Sequence, residues 1–158
     1  MARLPRLDLT DLLIEVDGWS NFSGVFSHLG TGQLLDKDTL LYLYATLLAQ
    51  GCNLGFKQMA TSAEWSYHKL LWCNTWHLRD EALKDATTLM INYHHALPLS
   101  SLWGCGMLSS SDGQRFPVKG DLRKARALPR YFGYGKGITF YTWTSDQFSQ
   151  YGSKAIPS

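Results

Sequence analysis

The hydrophobic pattern of the chain changes at Pro98, and this change limits the folds that the chain can adopt. Before Pro98, apolar residues recur at spacings of three and four, which is the period of an α-helix with one buried face. The clearest case runs from Arg79 to Leu97, with apolar positions at Ala82, Ala86, Leu89, Tyr93 and Leu97. After Pro98, glycines interrupt the apolar residues, and 137–144 is rich in β-branched and aromatic residues, which is typical of strands and turns. We therefore predict an α+β chain with a helical region at 1–97 and a sheet region at 98–158.

Four further helices are predicted in the first region. One covers 11–16 and stops at Asp17-Gly18, since glycine ends helices readily. A second is capped by Asp36 or Asp38 and ends at Gly51-Cys52-Asn53, and its apolar residues lie nearly all round, which indicates a central place in the core. Two short helices follow near 54–63 and 66–76.

The second region contains few predicted strands. Phe116-Pro117-Val118 is a short extended piece, and 137–144 has the β-branched and aromatic residues of a strand. So few strands, without covering helices after them, would leave a hydrophobic face exposed. We therefore expect this region to be the beginning of an incomplete domain.

The compartment can also be predicted. No apolar run approaches the length that spans a bilayer, and the N-terminal residues lack the pattern of a signal peptide. The three cysteines, Cys52, Cys73 and Cys105, are odd in number and widely spaced, which argues against a disulfide framework. We expect a cytoplasmic protein that does not enter a membrane.

Charge is distributed unevenly along the chain. Residues 1–114 hold seven Lys/Arg against eleven Asp/Glu, whereas residues 115–158 hold eight against two. Basic residues neutralise phosphates, and the interleaved Tyr131, Phe132 and Tyr134 could stack on unpaired bases. A solvated basic loop explains the pattern equally well. The candidate DNA-binding residues are Arg115, Lys119, Arg123, Lys124, Arg126 and Arg130.

Asp112 is the acid with the clearest potential for chemistry. It lies in the polar run from Ser109 to Gly113, at the predicted end of a strand, and the glycine after it lets the backbone approach a ligand closely. Hard divalent cations prefer carboxylate oxygens, so Asp112 is a candidate Mg²⁺ ligand. The alternative is a turn aspartate before glycine, and the residue pattern alone favours that alternative.

Asp146 is a second acid, in the segment Thr144-Ser145-Asp146-Gln147. Together with Asp112 it could form a carboxylate pair that holds two metal ions or divides acid and base roles. Serine and aspartate also suit the exit of a strand or the N-cap of a helix, and this role is favoured.

Six stretches of the chain stand in the order found in one known family. They are LDLTDLLIEV at 7–16, GCNLG at 51–55, WHLRDE at 76–81, SSSDGQRF at 109–116, ALPRYFG at 127–133 and SDQFSQYG at 145–152. Together they resemble the transposases of the Tn-three family of replicative bacterial transposons. The resemblance covers essentially the whole chain.

This resemblance implies a ribonuclease-H-like catalytic domain with a DDE triad of acids. The family's first acid falls in the motif that matches 111–115, so the resemblance assigns it to Asp112. The second and third acids fall in segments beyond 158, and the motif that contains Asp146 precedes the second. The resemblance thus implies a central fragment of a transposase that carries one of the three acids.

The resemblance also implies a mechanism and partners. Intact members bind DNA at the transposon ends and at the target, act as oligomers, and use Mg²⁺ for strand cleavage and strand transfer by phosphoryl transfer. A chain with one of three acids cannot hold two ions in register, so we expect the isolated chain to be inactive. The alternative is a non-catalytic DNA-binding remnant that competes for transposon ends.

Overall fold

The structure is a computed structural model that describes residues 6–120 and 125–156. The described residues form six α-helices and four β-strands, which confirms the predicted α+β class. They divide into two compact units, 1–90 and 91–158. This division falls within a helix that ends just before Pro98, and the domain boundary predicted at 97 and 98 stays a prediction.

The first unit is helical. All five predicted helices are present, and each begins within two residues of the expected start. The side chain of Asp36 caps the second helix by accepting a hydrogen bond from the backbone N–H of Thr39 at 2.8 Å. The helices are α1 (Leu9–Ser20), α2 (Lys37–Gly51), α3 (Phe56–Ser62), α4 (Tyr67–Trp76) and α5 (Asp80–Ala96).

Helix α2 lies at the centre of the core of this unit, as its apolar residues predict. It buries Leu43 and Tyr44 against Phe22 and Phe26 of the preceding segment, and against Cys73 of α4. The rings of Phe22 and Tyr44 pack edge to face with centroids 6.4 Å apart. The prediction for α5 also holds, since Ala82 and Ala86 point into the same core.

Helix α1 does not stop at Asp17-Gly18, and that prediction was wrong. The helix continues to Ser20 and ends at Asn21, which adopts a left-handed conformation with φ of 52°. The Asp17 side chain is 8% exposed; it accepts hydrogen bonds from the Ser23 backbone N–H at 2.7 Å and from the Tyr44 hydroxyl at 2.5 Å. Desolvation and the Asp17 carboxylate raise the pKa of Tyr44 well above its usual range, so the phenol stays protonated and donates.

The second unit contains an antiparallel sheet of four strands. They are β1 (Ser109–Val118), β2 (Arg126–Ala127), β3 (Lys136–Ser145) and β4 (Gln150–Ile156), and a one-turn helix α6 (Pro129–Phe132) lies between β2 and β3. All ten residues of β1 pair with β3. Strands β4 and β2 pair with the other edge of β3, so β3 is central.

Two predictions about the sheet needed correction. The sequence placed Asp112 at the end of a strand, with a turn as the alternative, but the whole polar run from Ser109 to Gly113 forms the first half of β1. Strand β1 pairs on one side and is largely exposed on both faces, so polar residues are tolerated there. Strand β4 was not predicted, because Gln150–Ile156 has little of the alternation that marks a half-buried strand. Strand β3 was predicted correctly.

Across the described ranges, 6–120 and 125–156, no helix has both the length and the hydropathy that a membrane span requires.

We expect Asp17→Ala to destabilise the helical unit by about 2 kcal/mol, because two buried donors lose their acceptor. Urea unfolding followed by tryptophan fluorescence measures this free energy. Glu15→Ala removes an exposed carboxylate from the same helix and serves as the control. Equal stability of the two variants would show that the Asp17 contacts contribute nothing.

Candidate functional site

Asp112 lies within β1, at the fourth of its ten residues, and not at the end of a strand as predicted. It pairs with Thr142 of β3, which in turn pairs with Ser153 of β4. Directly paired residues of antiparallel strands share one face of the sheet, so these three oxygen-bearing side chains form one row. The Asp112 carboxylate is exposed, and its Oδ1 atom accepts a hydrogen bond from the backbone N–H of Gly113 at 2.8 Å.

The described residues around Asp112 offer few oxygen ligands for a cation. A carboxylate oxygen is a suitable ligand for a hard cation, whereas the hydroxyl of Thr142 is neutral and contributes little charge. In the part of the chain that the structure describes, no cluster of three or more His, Cys, Asp or Glu could hold a metal ion. Asp112 therefore fits as one ligand of a shared site, and a metal would need further acids.

Gly113 has a packing role that the sequence did not indicate. It pairs with Tyr141 of β3, and a Cβ atom at residue 113 would lie 3.0 Å from Cε1 of the Tyr141 ring. The absence of a side chain at residue 113 makes room for this ring. The close approach of a ligand to the Gly113 backbone stays a prediction.

The Asp146 carboxylate is used by the backbone of the loop before β1. Its Oδ1 atom accepts a hydrogen bond from the Gly106 N–H at 2.9 Å, and its Oδ2 atom accepts one from the Leu108 N–H at 3.4 Å. A Cβ atom on Gly104 would overlap this carboxyl group. Asp146 lies four residues along the strand from the partner of Asp112, or roughly 13 Å. The structure therefore does not bring the two acids together as a pair.

Two of the predicted basic residues, Arg115 and Arg130, form a cluster with Tyr131. The Arg115 guanidinium lies 4.2 Å from the centroid of the Tyr131 ring, and the Arg130 guanidinium lies 5.8 Å from it. Tyr131 is 47% exposed, and Lys119 and Arg126 are also exposed. Two predicted DNA-binding residues, Arg123 and Lys124, lie outside the described residues.

The two candidate sites lie on opposite faces of β1. Successive side chains of a strand point to opposite faces, and Arg115 is three residues from Asp112. The stacked guanidinium and the carboxylate therefore face different surfaces of the sheet. The stacking of Arg115 on Tyr131 was not predicted from the sequence, where the two residues are sixteen positions apart.

Comparison with known proteins identifies the family. Residues 11–158 match the family described as the Tn3 transposase DDE domain, and this match covers nearly the whole chain. The chain belongs to the Tn3 transposase DDE domain family. The resemblance inferred from the six ordered stretches is thereby confirmed.

Individual transposases show the same relationship. The chain is 39% identical, over 97% of its length, to the transposase for transposon Tn1546 from Enterococcus faecium. It is 38% identical over 97% of its length to that for Tn21 from Escherichia coli, and 33% identical over 98% to that for gamma-delta from E. coli strain K12. The chain spans 15 to 16% of the length of these relatives.

We expect the two acids of this Tn3-family chain to differ in their structural roles. Asp146→Ala removes the acceptor of the Gly106 amide, so hydrogen exchange at Gly106 should rise at least about tenfold. Asp112→Ala is the matched control and should leave that exchange unchanged, because the Asp112 carboxylate accepts its hydrogen bond from the neighbouring Gly113 amide and not from Gly106. Unaltered exchange at Gly106 in Asp146→Ala would contradict the role of the Asp146 carboxylate in holding the Gly106 amide.

Proposed function

We propose that this chain supplies, through Asp112, the first metal-binding acid of a DDE transposase site that cleaves and joins DNA. Membership of the Tn3 transposase DDE domain family carries the proposal, together with the position of Asp112 in the motif SSSDGQRF. The exposed carboxylate in a row of polar side chains supports it. The predicted ribonuclease-H-like architecture is part of the proposal.

The open edge of β1 also supports this role. Among the residues that the structure describes, β1 pairs with β3 alone, so its other edge has unpaired backbone groups. A further strand added there would lie about 5 Å from β1. Side chains of that strand would then come close enough to Asp112 to complete a metal site.

In this proposal, Gly113 positions the Asp112 carboxylate and the carboxylate binds the cation. The Gly113 N–H donates to one carboxylate oxygen of Asp112 and so orients the group, leaving the second oxygen to face a cation. When bound, Mg²⁺ would activate the attacking oxygen and stabilise the charge on the phosphate. With one acid in place, we expect no strand cleavage by the isolated chain.

A non-catalytic DNA-binding role is the second candidate, and the cluster around Tyr131 favours it. Guanidinium groups neutralise phosphates, and an exposed aromatic ring next to them can stack on an unpaired base. Tyr134 is also fully exposed. In this role the chain would bind transposon ends or target DNA without cutting them.

The catalytic proposal is tested in a hybrid protein. The 158 residues replace the matching segment of the Tn1546 transposase, and we expect Asp112→Asn to lower strand cleavage at least about a hundredfold. Binding to labelled transposon ends should stay within twofold or so, because the amide keeps the shape of the carboxylate. Asp85→Asn, an exposed acid of α5, is the matched control. Cleavage at the normal rate by the Asp112→Asn hybrid would remove the basis of the assignment.

The DNA-binding proposal is tested with the chain itself. We expect the double variant Arg115→Gln, Arg130→Gln to bind a labelled DNA duplex more weakly and to reduce the slope of log K against log salt by about 2. Fluorescence anisotropy over a series of salt concentrations measures both. Lys57→Gln, Lys84→Gln makes the same charge change at exposed residues of the helical unit. Identical slopes for the two double variants would exclude the Tyr131 cluster as the contact surface.

A further inference from the structure

The helical unit contains a cleft of about 670 Å³ between the segment 28–36 and helix α4. The segment turns back on itself, with a β-bridge between Ser27 and Leu34. The Leu29 N–H donates a hydrogen bond to the Trp76 carbonyl at 2.9 Å, which fixes the segment to the end of α4. The cleft has the size of known small-ligand sites and plays no part in the function proposed above.

His77 lines this cleft and is the least satisfied polar side chain of the unit. It is 3% exposed, and neither ring nitrogen has a hydrogen-bond partner among the described residues. Burial lowers the pKa of His77 below its usual range; the nearby His28 and Arg79 lower it further, and Asp36 opposes them. The ring is therefore neutral at pH 7 and offers one donor and one acceptor. Native proteins rarely bury such a group without a partner.

Aromatic rings surround His77. The ring of His28 stacks on Trp76 with centroids 5.1 Å apart, and Trp72 packs edge-on against His77 at 5.1 Å. His28 is held in place because its Nδ1 atom accepts hydrogen bonds from the Gly30 and Thr31 amides. Trp72, which packs against His77, is itself 42% exposed, and the proposal below requires its side chain to rotate so that a flat ligand can reach the buried His77 nitrogens.

The charges at the cleft select against phosphate and in favour of an uncharged ligand with donor groups. Its described lining includes no Lys or Arg. Asp36 is an acceptor only, and one of its oxygens is used by the Thr39 amide at 2.8 Å. Gln33 adds a side-chain amide at the same wall. A flat ring with adjacent donors and acceptors at its edge complements this lining.

We propose that the cleft binds an unpaired nucleobase, stacked on Trp72 and hydrogen-bonded at its edge to His77 and Asp36. Guanine should bind best, because the N1–H and the amino group at its pairing edge are adjacent donors that match a carboxylate. Thymine should bind worst, since its N3–H lies between two carbonyl oxygens that a carboxylate repels. The inference rests on the proposed function only in that DNA would supply the base.

The experiment uses the four deoxynucleosides, which have no phosphate and so do not depend on the basic cluster. They are titrated into the full chain, with binding followed by tryptophan fluorescence and by the NMR signals of the His77 ring. We expect deoxyguanosine to bind at least about tenfold more tightly than thymidine, with the same affinity at low and high salt. The His77 signals of the unsubstituted chain should shift on saturation, and this readout requires no variant.

Substitutions then assign the binding to the cleft. His77→Phe keeps a ring and removes both nitrogens, and it should weaken deoxyguanosine binding at least about tenfold. His68→Phe, an exposed histidine of α4, is the matched control and should leave binding unchanged. Thermal unfolding of both variants checks that they are folded.

Three results would overturn the proposal. They are the absence of binding by every nucleoside at millimolar concentration, unshifted His77 signals at saturation, and binding of indole as tight as that of deoxyguanosine. The last would mean that the cleft takes any flat apolar group, including a side chain of a protein partner. Nucleoside binding without duplex binding would support a nucleobase site in the cleft and contradict DNA binding by the Tyr131 cluster. The failure of one proposal can therefore be distinguished from the failure of the other.

Discussion

The pairing of strand β3 along both of its edges is the constraint on which the second unit depends. Every residue of β1 pairs with β3, and β2 and β4 use the opposite edge. This pairing turns a polar, exposed run around Asp112 into a strand, because the backbone hydrogen bonds of the ladder outweigh the turn preference of an aspartate-glycine pair. It also sets Asp112 and Arg115 on opposite faces of the sheet.

Two buried polar side chains of the helical unit show how a fold uses such groups differently. Asp17 is buried with two hydrogen-bond donors, one of them the hydroxyl of Tyr44, and so stabilises the turn between α1 and the core. His77 is equally buried but has no partner among the described residues. The burial of Asp17 is compensated by its two hydrogen bonds, whereas the burial of His77 costs free energy that no hydrogen bond of the described residues offsets. This contrast supports the proposal that the cleft beside His77 binds a ligand.

The sequence predicted most of the fold and a smaller share of the candidate site. Local patterns were sufficient for α5, with its period of three and four, and for β3, with its β-branched and aromatic residues. Local patterns gave wrong predictions at Gly18, where the helix continues, and at Asp112, which lies within a strand and neither at its end nor in a turn. In both cases contacts with residues distant in sequence decide the outcome, and no window of neighbouring residues contains them.

The sequence by itself determined the α+β class and the family, because helical and strand periods are local and ordered motifs persist along the chain. Only the tertiary structure decided how the acids are used. Asp146 bonds to amides about forty residues earlier in the chain, and Asp17 bonds to a phenol 27 residues later. Burial of His77 likewise depends on a segment that folds back from residue 28. These roles depend on contacts between residues that are distant in the sequence. The type of a residue, carboxylate or imidazole, does not specify those contacts.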